Sequence, residues 1–297
     1  MSTVSPNHPG LAETLPFNGG RPQNPALLAK LEQVMSRAEA TLDRAQQLVD
    51  LLMTDGPFEV EPLDFEVPAN FKLSIVIPVF NEEKTIYEIL ARVAAVPLPK
   101  EIIVVDDCST DQTAELLGAL TNVAELKVVT KGQNAGKGAA LRTGFEQATG
   151  DVVLVQDADL EYDPRDIPAL VKPIIQNNAD AVFGSRFLWN RPQDQSFVHR
   201  LGNWALTTAS NLFTGLKVTD MEVCYKAFRR ELIQSLDLQQ DRFGFEPEVT
   251  AKIARKKARV TEVPVRYNPR SYAEGKKIGV RDLWNALWCI VRYGIAR

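Results

Sequence analysis

The stretch VVLVQDADLEYD, residues 152 to 163, decides how the rest of the chain is read. Val152 to Val155 form a continuous branched and aliphatic run, the pattern of a strand buried on both faces of a parallel sheet. Four acids then follow two apart: Asp157, Asp159, Glu161 and Asp163. Strand side chains alternate, so residues two apart share a face, and Asp157 and Asp159 converge if the pleat continues through them. Two such carboxylates repel unless a cation joins them. Mg2+ and Mn2+ are suited to one or two carboxylates completed by substrate phosphates. An acidic turn facing water is the alternative, and these twelve residues alone leave both open.

Working outward, the same kind of run recurs. LSIVIPV (73 to 79), EIIVVD (101 to 106), ELKVVT (125 to 130) and ADAVFG (179 to 184) read as strands. NEEKTIYEILARVAAV, TDQTAELLGAL, GKGAALRTGFEQAT and PRDIPALVKPIIQ read as the helices between them. Alternation at this pace predicts an α/β fold with a doubly wound, mostly parallel sheet flanked by helices. Ligands of such sheets bind beyond the carboxyl ends of the strands. The exits PVFNEE (78 to 83), DDCSTD (106 to 111), QDADLEYD (156 to 163) and GSRF (184 to 187) are all polar, and the topology gathers them on one edge.

Upstream, residues 1 to 24 are rich in Pro, Asn, Gly and Ser and are expected to lack stable structure. Residues 25 to 56 carry Leu28, Leu31, Met35, Ala38, Leu42, Ala45, Val49 and Leu52 at steps of three and four, a heptad-patterned helix. That seam suits pairing with a second copy of the chain, or packing on its own main domain. Residues 57 to 70, PFEVEPLDFEVPAN, read as a Pro-rich acidic linker, and residues 71 to 297 as the main domain.

The chain has 297 residues, 45% hydrophobic and 24% charged, enough for a sizeable core. A net charge of -4 argues against a general nucleic-acid binder, although basic residues dominate from Lys252 onward. The three cysteines lack CxxC spacing, so neither a disulfide framework nor a zinc site is expected, and a reducing, cytoplasmic compartment fits. MSTVSPNHPG does not read as a signal peptide, and no apolar run approaches the ~18 residues of a membrane span. Work at a membrane would therefore be peripheral.

KGQNAGKGAALRTG (131 to 144) matches neither the P-loop nor the dinucleotide fingerprint in its spacing. Gly136 and Gly138 would still let backbone amides at a helix start approach an anion or nucleotide, with Lys137 adding charge. A turn ahead of a helix is the other reading.

Taken together, SIVIPVFNEE, IIVVDDCSTDQT, GKGAALRTGF, QDADLEYDP, FGSRF, TDMEVCYKAF and GFEPEV make the chain resemble the inverting family 2 glycosyltransferases over roughly residues 71 to 290. The branch it is most similar to is that of the dolichyl-phosphate and polyprenyl-phosphate mannose or glucose synthases. The resemblance implies a GT-A fold, a nucleotide-sugar donor such as GDP-mannose or UDP-glucose, a polyprenyl phosphate acceptor, and Mg2+ or Mn2+. It implies that Pro78, Phe80 and Glu82 border the nucleotide and that Asp107 contacts its base, Asp106 orienting the loop. Asp157 and Asp159 match the metal-binding pair, with Ala158 between them along the nucleotide. Glu161 is a further metal candidate, standing where mannose synthases often have Gln. Arg186 and Arg200 would hold the acceptor phosphate, and Arg270 with Lys276 the donor diphosphate. The chain departs from many lipid-linked relatives in showing no membrane span, and from the family core in its heptad segment.

The chemistry would be displacement at the anomeric carbon with a nucleoside diphosphate departing. A hydroxyl acceptor needs a general base, for which Asp220 is the candidate, whereas a lipid phosphate is already an anion. Capping or orienting its loop is the other role for Asp220. His8 and His199 are the only histidines, which argues against a His-based triad. RSYAEGKK (270 to 277), between the strand-like RVTEVPVRY and the last helix, suits a loop closing over the donor, or a basic surface turn. The last helix, VRDLWNALWCIVRYGIAR, has the Trp and Arg composition of a membrane-surface helix, and an amphipathic helix in that position also suits closing the core. A catalytically silent, nucleotide-binding scaffold assembled by the heptad helix is the remaining alternative.

Overall fold

The computed structural model describes residues 60–120, 123–188, 197–270 and 280–295. The heptad segment 25–56, the N-terminal 24 residues and Lys276 lie outside the described residues.

Strands β1 (Leu73–Val79), β2 (Lys100–Asp106), β3 (Leu126–Thr130), β4 (Val152–Val155), β5 (Ala181–Ser185), β6 (Lys226–Arg229) and β7 (Val260–Pro264) form one sheet in the order β3-β2-β1-β4-β6-β5-β7. The β1–β2, β2–β3, β1–β4 and β5–β7 pairs are parallel. β6 runs antiparallel to both β4 and β5. The helices are α1 (Ile86–Ala94), α2 (Thr113–Gly118), α3 (Lys137–Gln147), α4 (Ile167–Ile175), α5 (Phe197–Thr214), α6 (Arg230–Gln234), α7 (Phe245–Arg255) and α8 (Val280–Ile295). The central strands are apolar on both faces because helices leave no face to water: Leu73, Ile75, Ile77, Val104 and all of β4 are buried.

Strand order places the site. After β1 the chain winds outward through β2 and β3, then returns to β4 on the other side of β1. That reversal opens a crevice beyond the carboxyl ends of β1 and β4, where open α/β sheets take their ligands. The register sets Val79 opposite Asp106 and Val76 opposite Val155, so the acidic exits come level. Helix α3 lies close on β1, where a Cβ on Gly144 would sit 2.2 Å from Val76 Cγ1, and only glycine fits.

β6 is the strand that sequence pattern did not disclose. Its Lys226 is fully buried, with Nζ donating to the carbonyls of Met221 and Val223 and lying 4.5 Å from the Phe183 ring centre. A lysine inside a four-residue strand hides the apolar signal that identified the others.

Two expectations sharpen. Residues 60–70 have no regular strand or helix, but Val60, Leu63, Phe65 and Val67 pack on the core and Asp64 pairs with Lys172 at 2.5 Å. The described part of the expected linker is therefore a strap on the domain, because its apolar residues recur two and three apart. Helix α8 closes the core with Ala286, Cys289, Ile290 and Tyr293, which are buried, and leaves Trp284, Trp288 and Val291 exposed.

Candidate functional site

The turns leaving β1, β2 and β4 each hold one non-glycine residue at positive φ: Asn81 (58°), Cys108 (64°) and Leu160 (62°). Such conformations cost energy and persist only where surrounding contacts impose them. Here the contacts join the turns to one another. Asn81 accepts from Thr110 N at 2.7 Å and its own N donates to Ser109 Oγ at 3.0 Å, tying the β1 exit to the β2 exit.

Beyond these turns lies a cavity of about 420 Å³. Its lining includes Pro78, Phe80, Glu82, Asp107, Gly136, Lys137, Asp157, Ala158, Asp159, Glu161 and Arg270, all named from the sequence. Asn134, Cys224, Arg242, Phe243 and Tyr267 also line it and were not anticipated.

Asp157 follows β4 with Lys137 Nζ at 2.6 Å from Oδ1. Burial alone would lower the Lys137 pKa, but Asp157, with Cys224 and Glu246 behind it, holds it well above the usual lysine range. Asp159 is the reverse case: burial, with the charges of Asp157 and Glu161, pushes its carboxyl up to about 7. An acid held that far from ionisation is an acid short of positive charge. Glu161 is differently engaged. Its oxygens accept from Tyr267 OH and Arg270 N, both at 2.9 Å, so it clamps the 267–270 segment to the β4 exit. Among the described residues no three acidic, Cys or His side chains form a ready-made metal cage.

Arg270 spans the cavity mouth. Its guanidinium grips Glu82 with two contacts, 3.1 and 2.8 Å, and its Nε donates to Asp159 O at 2.8 Å. Asp107, expected at the base, has its carboxylate occupied by Gly136 N (2.6 Å), Ala135 N (3.1 Å) and Lys131 Nζ (2.8 Å). It therefore shapes the glycine-rich turn, while Asp106 accepts from Ser109 N and Oγ.

The glycines themselves answer to another segment. A Cβ on Gly136 would meet Asp241 O at 2.6 Å, and one on Gly138 would meet Gln240 O at 2.2 Å. Ala139 N donates to Asp241 O, and Arg142 bonds Gln240 O and Asp241 Oδ1. Glu248, fully buried on α7, holds the same segment through Gln239 N and Gln240 N, both 2.8 Å. The pair of glycines was thus the one sequence signal for the 239–243 stretch that carries Arg242 and Phe243 into the cavity.

Arg186 leaves the end of β5 and pairs with Asp220, whose side chain is fully buried, through Nε and NH2, each at 2.7 Å. Asp220 also accepts from Arg186 N and from Asn203 Nδ2, so both of its oxygens are occupied. Burial opposes ionisation, but the Arg186 charge and hydrogen bonds outweigh it and hold the carboxyl below its usual range. The guanidinium also lies 5.2 Å from the ring centre of Tyr267, the partner of Glu161. Arg200 is exposed on α5, three residues before Asn203.

A family model, glycosyl transferase family 2, matches residues 74–237, more than half of the chain. The chain belongs to glycosyl transferase family 2. Among family 2 relatives, the dodecaprenyl-phosphate galacturonate synthase of Rhizobium johnstonii is 30% identical over 215 residues, covering 70% of this chain and 62% of the relative. The dolichol-phosphate mannosyltransferase of Pyrococcus furiosus is 31% identical over 213 residues, covering 70% of this chain and 60% of that one. The match thus spans about three fifths of these relatives' length. A solved glucosyl-3-phosphoglycerate synthase from Mycobacterium tuberculosis, in complex with Mn2+, UDP and phosphoglyceric acid, superposes with a TM-score of 0.60 at 21% identity, covering 80% of this chain and 87% of that one. The fold of this family 2 chain is accordingly GT-A, as its motifs implied.

Proposed function

We propose that the protein transfers a hexose, with inversion, from a nucleotide-sugar (GDP-mannose or UDP-glucose class) to a polyprenyl phosphate at the cytoplasmic face of a membrane. The observation that carries this reading is the level arrangement of Asp157 and Asp159 with Glu82 and Asp107 around one cavity at the sheet's reversal point. The names of the relatives, which act on lipid-linked phosphates, support the acceptor.

Mg2+ or Mn2+ fits Asp157 and Asp159, since Asp159 is a carboxyl lacking positive charge and a donor diphosphate supplies the remaining oxygens. When bound, the cation neutralises charge gathering on the departing diphosphate. The protein's own groups then divide the rest. Pro78 and Phe80 border the nucleotide, Asp107 fixes the turn at Gly136, and Lys137 and Arg270 face the phosphates. Lys276, outside the described residues, is the further group proposed for the diphosphate.

Arg186 receives the acceptor phosphate, with Arg200 farther out on α5. Asp220 is a positioning group in this reading: two guanidinium N–H bonds go to it, and the rest remain for a phosphate. A phosphate nucleophile is already ionised and needs no base. The exposed Trp204 of α5 and Trp284 and Trp288 of α8 are the side chains that meet the lipid surface. A homo-oligomer through residues 25–56 completes the proposal.

A hydroxyl acceptor would need a different base. Both oxygens of Asp220 are already taken by Arg186 and Asn203. The deciding experiment is a nucleotide-sugar panel with Mn2+ or Mg2+, read by thermal shift and then by transfer to a short polyprenyl phosphate or to glycerol and phosphoglycerate. Cation-dependent transfer to the lipid phosphate is expected. Transfer to the hydroxyl acceptors alone would replace the reading, and no nucleotide-sugar binding would end it.

A further inference from the structure

A second cavity, of about 590 Å³, opens where the last turns of α7 and α8 meet the 235–239 turn. Its lining includes Lys252, Arg255, Lys256 and Arg292, with Asp237 the only acid among the described residues. Basic residues commonly end helices, because they answer the partial negative charge there. Lys252, Arg255 and Lys256 lie within five residues at α7's end, and Arg292 of α8 lines the same cavity.

The four are not equivalent. Lys252 is committed to Glu248 Oε1 at 2.7 Å and to Asp237 O, so it builds the floor. Lys256 and Arg292 are exposed. The Arg292 guanidinium lies 4.7 Å from the Trp288 ring centre and 5.6 Å from that of Tyr293, a second lining residue. Trp288 itself is 49% exposed, and Trp284 (67%) and Val291 (46%) continue the same uncovered face of α8. A cation pocket bordered by exposed tryptophan matches the two layers of an anionic membrane surface: phosphate outside, acyl boundary beneath.

We propose that this cavity seats the phosphodiester headgroup of an anionic lipid, docking the protein with Trp284 and Trp288 entering the interface. The site is separate from the acceptor arginine: it belongs to bulk membrane lipid, and no sugar is transferred there. It rests on the membrane-surface reading above and gives that reading a lipid class. Membrane lipid fits because the basic groups are continuous with an apolar face that a soluble phosphate would leave uncovered.

The test is cosedimentation of the full chain with vesicles of phosphatidylcholine alone or mixed with phosphatidylglycerol, at low and high salt. The double variant Lys256→Gln, Arg292→Gln is compared with the wild type, and a nucleotide with Mn2+ serves as the folding and donor-site control by thermal shift. Wild type should bind only the anionic vesicles, and high salt should release it. Each basic residue beside an anionic surface contributes enough that removing two weakens partitioning roughly 30-fold, with nucleotide binding unchanged. Equal binding by variant and wild type would overturn the site while leaving the membrane reading intact. Wild type that ignores both vesicles would overturn the membrane reading as well. Stabilisation of the wild type, but not the variant, by soluble glycerol 3-phosphate without any vesicle difference would show a soluble ligand and overturn the docking proposal.

Discussion

Asp220→Asn is the perturbation that separates a positioning carboxylate from a base. Asp220 is wholly buried, and its partner Arg186 has only 12% of its side chain exposed. One oxygen accepts from Arg186 NH2 and Asn203 Nδ2, the other from Arg186 Nε and Arg186 N. An amide sets an NH2 against one of these donor pairs and removes the charge that answers the guanidinium. Breaking one side of a buried pair in this way costs about 3–5 kcal/mol. Removing the other side too, as Arg186→Met with Asp220→Asn, should recover much of it, giving a coupling of about 2 kcal/mol or more by urea titration. Function is then measured as kcat/KM against pH for transfer to polyprenyl phosphate. A positioning role predicts a raised KM for the acceptor and a pH profile of unchanged shape. The reasoning fails if Asp220→Asn is within about 0.5 kcal/mol of wild type. It fails equally if the variant loses an acid limb that the wild type shows, since that limb would be the titration of a base.

Gly138→Ala should destabilise by about 1–3 kcal/mol and weaken nucleotide binding, because its Cβ would lie 2.2 Å from the backbone oxygen of Gln240. Gly118→Ala, which meets nothing within 4 Å, should be neutral or slightly stabilising in the same melts. Asp159→Asn should abolish the cation-dependent thermal shift given by a nucleoside diphosphate, and a shift of unchanged size would remove Asp159 from the metal site. Glu101 binds Lys72, Ser74 and Thr149. Although burial opposes ionisation, these hydrogen bonds lower its pKa to about 2. A depressed folded-state pKa means stability that is present above the unfolded value near 4.5 and lost as pH falls toward 2. Glu101→Gln should therefore be less stable at neutral pH by about 1–3 kcal/mol, with the gap closing in that acid window; a gap constant with pH would refute the assignment.

The sheet was legible where strands are buried on both faces, because β1, β2, β4 and β5 then read as largely apolar runs. β6 was not, since Lys226 satisfies its ammonium on local carbonyls, a contact that composition cannot reveal. The acids at strand exits pointed to a site, and one cavity gathers those of β1, β2 and β4. What sequence spacing could not assign was the partner of each one. Asp107, expected at a base, also holds the amides of Ala135 and Gly136, and Glu161, expected at a metal, also holds Tyr267 and Arg270. Those partners lie between 28 and 109 residues away, beyond the reach of any local pattern. Arg242 and Phe243 escaped for the same reason: QQDRF carries no motif, and only the glycines it presses against hint at its presence.

The partners also explain why donor and cation should arrive together. The cavity is lined by five acids, Glu82, Asp107, Asp157, Asp159 and Glu161, and three cations, Lys137, Arg242 and Arg270, a difference of two negative charges. Arg270 answers Glu82, Lys137 answers Asp157, and Lys131 answers Asp107 from outside the lining. That leaves Asp159 and Glu161 against Arg242, for which no ion pair is found among the described residues. A nucleoside diphosphate entering alone would add negative charge beside Asp159, a carboxyl already held up to about 7. A divalent cation reverses the sign of that encounter, and Arg242 is then free to meet the diphosphate without competing for an acid. The same ledger says a metal ion alone gains little, since Asp157 keeps Lys137 and Glu161 keeps its clamp. Calorimetry should therefore find weak binding of nucleoside diphosphate or Mn2+ taken singly and a strong dependence of each on the other; full affinity for the nucleotide with the cation chelated would show that the acids are answered in some other way.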